Sequence, residues 1–163
     1  MRRITLLAIV GSLGILAALL TTDTGFATPP TGVVGSPPQR ATMAPYHFDS
    51  PDFKIFQKNP EEVVMRQLAF APGGSSGWHS HPGPVFVLVT QGTLTNYQAD
   101  DPTCAGQAVA TGQGFVEPPG AVHAVYNRGA VTALVSVTFL NVDPANGIFR
   151  FDAPRPDNPN CPA

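Results

Sequence analysis

Charge is scarce in this chain. Only 12% of its 163 residues are Asp, Glu, Lys or Arg, and nine basic against eleven acidic side chains leave a net charge of −2. Binding a phosphate backbone requires clustered Lys and Arg, and no such stripe is present, so nucleic acid is not an expected partner. Nothing reads as a long amphipathic helix, and no internal repeat supports a solenoid or a multidomain chain. Cysteine is limited to Cys104 and Cys161. Neither follows the N-terminal apolar stretch closely enough to accept a lipid anchor.

The apolar stretch itself is informative. Arg2 and Arg3 precede an uncharged run over residues 4–20, followed by small and polar residues up to Gly25-Phe26-Ala27. This is the pattern of a secretory signal peptide over residues 1–27, with cleavage expected after Ala27. An uncleaved anchor is the alternative, because the run is only slightly shorter than a membrane-spanning helix. Cleavage would leave a secreted, extracytoplasmic protein with no membrane attachment, of single-domain length and with enough apolar residues to bury a core. In that oxidising setting Cys104 and Cys161 are expected to form a disulfide that staples the C-terminus to the domain.

Residues 28–45 are rich in Pro, Gly, Ser and Thr and read as an extended linker, so folding is expected to begin near Tyr46. Beyond it, short apolar runs at 63–70, 85–89, 122–126 and 131–140 are separated by Gly and Pro clusters, as in an all-β sandwich or barrel. Gly92 sits between two strand-like runs and supplies the positive φ of a tight hairpin. The barrel is expected over residues 46–152. Residues 153–163, with four prolines, should run irregularly over the surface.

Three of the four histidines fall in two spaced groups. His79 and His81 share one face of a strand and can chelate one ion from adjacent rungs. His123 follows the rigid turn Pro118-Pro119-Gly120. Two ligands close in sequence and one distant suit a metal site at a barrel mouth. Trp78 should face the opposite side of its strand and pack in a core, while His47 reads as an exposed loop residue. Val85, Val87 and Val89 share a face and would form an apolar wall, suited to a small hydrophobic ligand. Asn96, Tyr97 and Tyr126 are possible polar handles whose orientation the sequence leaves open.

The spacings Gly73-x5-His79-x-His81 with Gly92, and Gly112-x5-Pro118-x-Gly120-x2-His123-x3-Asn127, resemble the two motifs of the cupin superfamily. That resemblance implies a single-domain jelly-roll β-barrel enclosing a divalent metal held by His79, His81 and His123. It leaves Fe, Mn, Zn, Cu and Ni as candidates, and such barrels often form homodimers. One position departs from the pattern: Val85 stands where the family carries a ligating glutamate. A three-histidine site would hold its ion less tightly and leave it a stronger Lewis acid. Glu117, directly before Pro118, reads as a solvated strand-end residue. The alternative is that it points inward as a substitute ligand or general base.

The resemblance implies a metal-dependent enzyme, of dioxygenase type, acting on a small organic substrate. A metal-binding or small-molecule-binding module without turnover is the competing reading, and a purely structural extracellular domain leaves the histidine spacing unexplained.

Overall fold

The computed structural model describes residues 27–163. The expected leader therefore lies, apart from Ala27, outside the described residues. Thirteen strands follow one another: β1 (Thr31–Gly35), β2 (Gln39–Met43), β3 (Tyr46–Ser50), β4 (Phe53–Gln57), β5 (Glu61–Ser75), β6 (His79–Ser80), β7 (Val85–Gln91), β8 (Thr93–Gln98), β9 (Gln107–Ala110), β10 (Gly114–Glu117), β11 (His123–Tyr126), β12 (Ala133–Val142) and β13 (Phe151–Asp152). No helix of the described residues is long and apolar enough to cross a membrane.

Eleven strands form one antiparallel sheet in the order β10-β7-β12-β5-β11-β6-β13, with β1 and β2 also on β5, and β8 between β11 and β9. This sheet curls into the expected all-β jelly-roll barrel. Period-two patterning sets its inside and outside. In β7, Val85, Val87 and Val89 are buried while Phe86 and Leu88 are exposed; in β12, Val135, Val137 and Phe139 point the same way. These side chains face one another because Val85 pairs with Phe139, Val87 with Val137 and Val89 with Val135. The β7–β8 hairpin turns at Gly92, whose φ of 76° is the left-handed conformation that a side chain resists.

The N-terminal boundary requires correction. Residues 28–45 are not a free linker: β1 pairs with the Leu68-to-Ser75 half of β5, and β2 pairs with its Glu61-to-Met65 half. Pro37 and Pro38 merely interrupt the edge, since a residue without an N–H cannot continue a ladder. Conversely, β3 and β4 form a separate two-stranded sheet off the barrel. The Tyr46 hydroxyl, 2.6 Å from buried Glu61 Oε1, ties that hairpin down.

Beyond β13 the chain has no strand, and Cys161 is bonded to Cys104 across 57 residues. Trp78, Cys104, Ala124, Tyr126 and Cys161 form a second core, distinct from the barrel interior. Trp78 is fully buried there, and its indole N–H donates to the Pro162 carbonyl at 3.2 Å. Because neighbours in a strand face opposite ways, this core lies behind His79 and His123. The disulfide thus braces the strands that present the histidines.

Candidate metal centre

β6 and β11 are antiparallel neighbours, and His79 pairs directly with His123 across them. Opposed residues leave a sheet on the same face, so both rings enter the barrel, and His81 joins them two positions along from His79. The ring centroids lie 4.7 Å (His79 to His81), 4.4 Å (His79 to His123) and 5.2 Å (His81 to His123) apart. Gly120 N–H donates to the His81 carbonyl at 2.9 Å, fastening the Pro118-Pro119-Gly120 turn to the His-x-His segment.

Glu117 completes the cluster. The solvated strand-end reading is overturned: its side chain is only 5% exposed, with one oxygen 3.2 Å from His81 Nε2 and the other 3.2 Å from His123 Nε2. The reason is ladder register. Glu117 on β10 pairs with Val85 on β7, so it leaves the sheet on the inner face beside the valine. The carboxylate missing from position 85 is present, supplied by the next strand.

The donor set fits a cation. His79 Nδ1 lies 2.8 Å from the Gly77 carbonyl, His81 Nδ1 2.6 Å from that of Phe149, and His123 Nδ1 2.9 Å from that of Ala121. A carbonyl can only accept, so each Nδ1 carries a proton, and each neutral ring offers its Nε2 lone pair inward. Four ligand atoms, one from each of His79, His81, Glu117 and His123, lie within 4.8 Å of one another. His81 Nε2 and His123 Nε2 are buried without a hydrogen-bond donor, although each faces the carboxylate. Lone pair against carboxylate is stable only with a proton or a metal cation between them.

Burial pulls the His79 imidazole down to about 2, helped by electrostatic interaction with the neighbouring His123, Arg150 and His81 side chains. Burial alone would raise Glu117. Its close contacts with the His123 and His81 rings outweigh burial and hold the carboxyl at about 2.

Above the cluster lies a cavity of about 130 Å³ lined chiefly by aliphatic and aromatic side chains, including Leu68, Phe70, Val85, Val87, Val137 and Phe139. Arg66 and Arg150 also line it. Neither was singled out by motif. Arg150 Nη2 donates to the Ser76 carbonyl at 2.8 Å and its Nε to Asp152 at 2.6 Å. Phe149 follows β12 in an irregular segment and supplies the carbonyl that orients His81.

Other sequence candidates fall elsewhere. Tyr97 and Tyr126 pack edge to face at 5.5 Å in the second core, with the Arg128 guanidinium 4.3 Å from the Tyr126 ring, so neither is a handle for the cavity. Asn96 is buried away from the cluster and lines a separate small cleft. Asn127 is structural: its Nδ2 donates to the Phe70 and Val131 carbonyls at 2.8 and 2.7 Å. His47 is exposed on the hairpin.

Residues 67–139 match the family model of the Cupin domain. The chain contains a cupin domain. That match runs from β5 to β12 and holds all four residues of the cluster. Among curated proteins, the auxin-binding protein ABP19a of Prunus persica is 33% identical over 91 residues, 55% of this chain and 44% of that protein. A germin-like protein, subfamily T member 2 of Arabidopsis thaliana, is 29% identical over 88 residues, 53% of this chain and 40% of its own length. The chain thus spans less than half of these relatives. A solved oxalate oxidase shares 30% identity over 48% of this chain and 41% of its own, with a TM-score of 0.43.

Proposed function

We propose that this cupin domain is an exported metalloprotein. His79, His81, Glu117 and His123 hold one divalent ion at the floor of the apolar cavity, where a small organic substrate is oxidised with dioxygen. The observation that carries the reading is the common orientation of the three imidazoles: each Nδ1 is spent on a backbone carbonyl, His81 and His123 turn Nε2 toward Glu117, and His79 brings a ligand atom within 4.8 Å of theirs. A bound ion would supply Lewis-acid polarisation and open coordination positions for substrate. Fe, Mn, Zn, Cu and Ni all accept such a nitrogen and oxygen set, so availability selects among them.

The chain's own residues do the rest. The Gly77, Phe149 and Ala121 carbonyls fix the ring tautomers. Val85, Val87, Val137 and Phe139 exclude water and strengthen every charge interaction inside. The Cys104–Cys161 bond supports export, because such bonds persist in oxidising compartments.

One observation favours a binding module without turnover. Among the described residues lining the cavity, the ligand cluster and two arginines are the only ionisable groups, so no free general base remains. The test is oxygen uptake by the metal-loaded protein across a panel of phenols, thiols and small acids. Metal-dependent uptake that disappears in His79→Ala is the expected result. Saturable ligand binding without any uptake would replace the enzyme with the module.

A further inference from the structure

Arg66 and Arg150 line the cavity and Arg40 lies over the ring of the lining residue Phe149, and the three differ in one respect. Arg40 is paired with Glu62 and lies over the Phe149 ring at 5.4 Å, and Arg150 is paired with Asp152. Arg66 has no acidic partner among the described residues; its one hydrogen bond runs from Nε to the Ser36 carbonyl at 3.0 Å. It is nonetheless aimed inward. Arg66 pairs with Val137 on β12, in line with Val64, Leu68 and Phe70 on the inner face of β5. A half-buried guanidinium on an apolar inner face, with a single carbonyl as partner, is better satisfied when an anion arrives.

The chain also makes room for it. Gly35 pairs with Leu68, so a Cβ at position 35 would point inward, where it would collide with the Arg66 guanidinium. Only glycine lets the guanidinium occupy that place. Val85 and Phe139 pair at the level of Glu117, and Arg66 lies on the next inward rung, two residues along β5 from Val64, the partner of Phe139. A positive group and the candidate metal centre thus share one cavity without sharing ligands.

We infer that Arg66 is the anion-recognition residue of this cavity, and that the ligand is a small amphipathic carboxylate whose head pairs with Arg66 and whose body lies against the valines. Guanidinium suits this role through its planar fork, which meets a carboxylate with two parallel hydrogen bonds. The inference rests on the cavity being a ligand site and deepens that reading by naming the ligand's class.

The test uses benzoate and hexanoate as probes, each against its neutral amide, with binding measured calorimetrically on the full domain as purified and after chelation. Metal content is determined separately for the wild type, Arg66→Met and Arg66→Lys. Both acids should bind the wild type more tightly than their amides. Arg66→Met should weaken the acids by about tenfold or more, the scale of one charged hydrogen bond, and leave the amides unchanged. Arg66→Lys should recover part of the loss. Equal binding of acid and amide, or an unchanged acid affinity in Arg66→Met, overturns the assignment. So does loss of acid binding on chelation with no loss in Arg66→Met, which would assign the carboxylate to the metal. A metal-free wild type that still binds acids through Arg66 would sink the metalloprotein reading and leave this one standing.

Discussion

Glu117 and Val85 are opposed partners on the β10–β7 ladder and leave the sheet on the same inner face. Moving the carboxylate from one strand to its neighbour keeps it facing the histidines, with 3.2 Å to both His81 and His123. The cluster consequently regains the negative charge that Val85 appeared to cost it.

That substitution is reversible in principle. Glu117→Ala should lower metal affinity by more than the roughly 10- to 100-fold typical of losing an outer-shell partner. Adding Val85→Glu to that variant should restore a substantial part, because the new carboxylate starts from the directly opposed position. Competition titration with a chromogenic chelator reads both steps. A double variant no better than Glu117→Ala would show that the two positions are not interchangeable.

Acid should destabilise the metal-free protein in two stages. His79 is held neutral down to about 2 in the fold against 6.5 in an open chain, so the unfolded state takes up its proton first. The stability it contributes is complete above 6.5 and falls with pH below it, at about 1.4 kcal/mol per unit per proton. Glu117, also held at about 2 against 4.5, adds a second proton below 4.5. Urea unfolding between pH 7 and 3 measures the slopes, and His79→Gln should flatten the first. An unchanged slope in that variant would assign the proton to another group.

Much of this arrangement is legible in the chain, for identifiable reasons. His79, His81 and His123 are fixed by local spacing, because a strand alternates faces and a Pro-Pro-Gly turn re-enters one. Arg66 was also within reach: its parity with Val64, Leu68 and Phe70 in one run places it on the inner face. Glu117 is legible only as one of two alternatives, since its neighbour Val85 is set by a register between strands far apart in sequence. Residues 28–45 depart from the linker expectation because proline and glycine content signals disorder, whereas here two prolines only divide one edge into β1 and β2. Arg150 and Phe149 belong to an irregular segment that no periodicity describes.

The disulfide should matter for both stability and the site. Closing a 57-residue separation contributes about 4 kcal/mol in the chain-entropy model. Cys104→Ser with Cys161→Ser should lower the urea midpoint accordingly. Metal affinity should weaken too, because Trp78 and Ala124, each adjacent to a cluster histidine, pack on this bond. Full affinity in the double variant would show that β6 and β11 hold the rings without that brace.

Asn127 separates motif membership from metal binding. Asn127→Ala removes the donor to the Phe70 and Val131 carbonyls, and the buried Phe70 bond alone is worth about 1 to 3 kcal/mol if that group is left unpaired. Thermal unfolding should register that loss while metal stoichiometry stays unchanged. Loss of metal from a still-folded variant would give Asn127 a role at the centre.

Elemental analysis of the chain purified without chelator, beside a variant carrying His79→Ala, His81→Ala and His123→Ala, bears most directly on the metal centre. One divalent ion per chain in the wild type and none in the variant, with the β-rich circular dichroism of both preserved, is the expected result. A wild type with no stoichiometric metal, even after incubation with Fe, Mn, Zn, Cu and Ni, would contradict it.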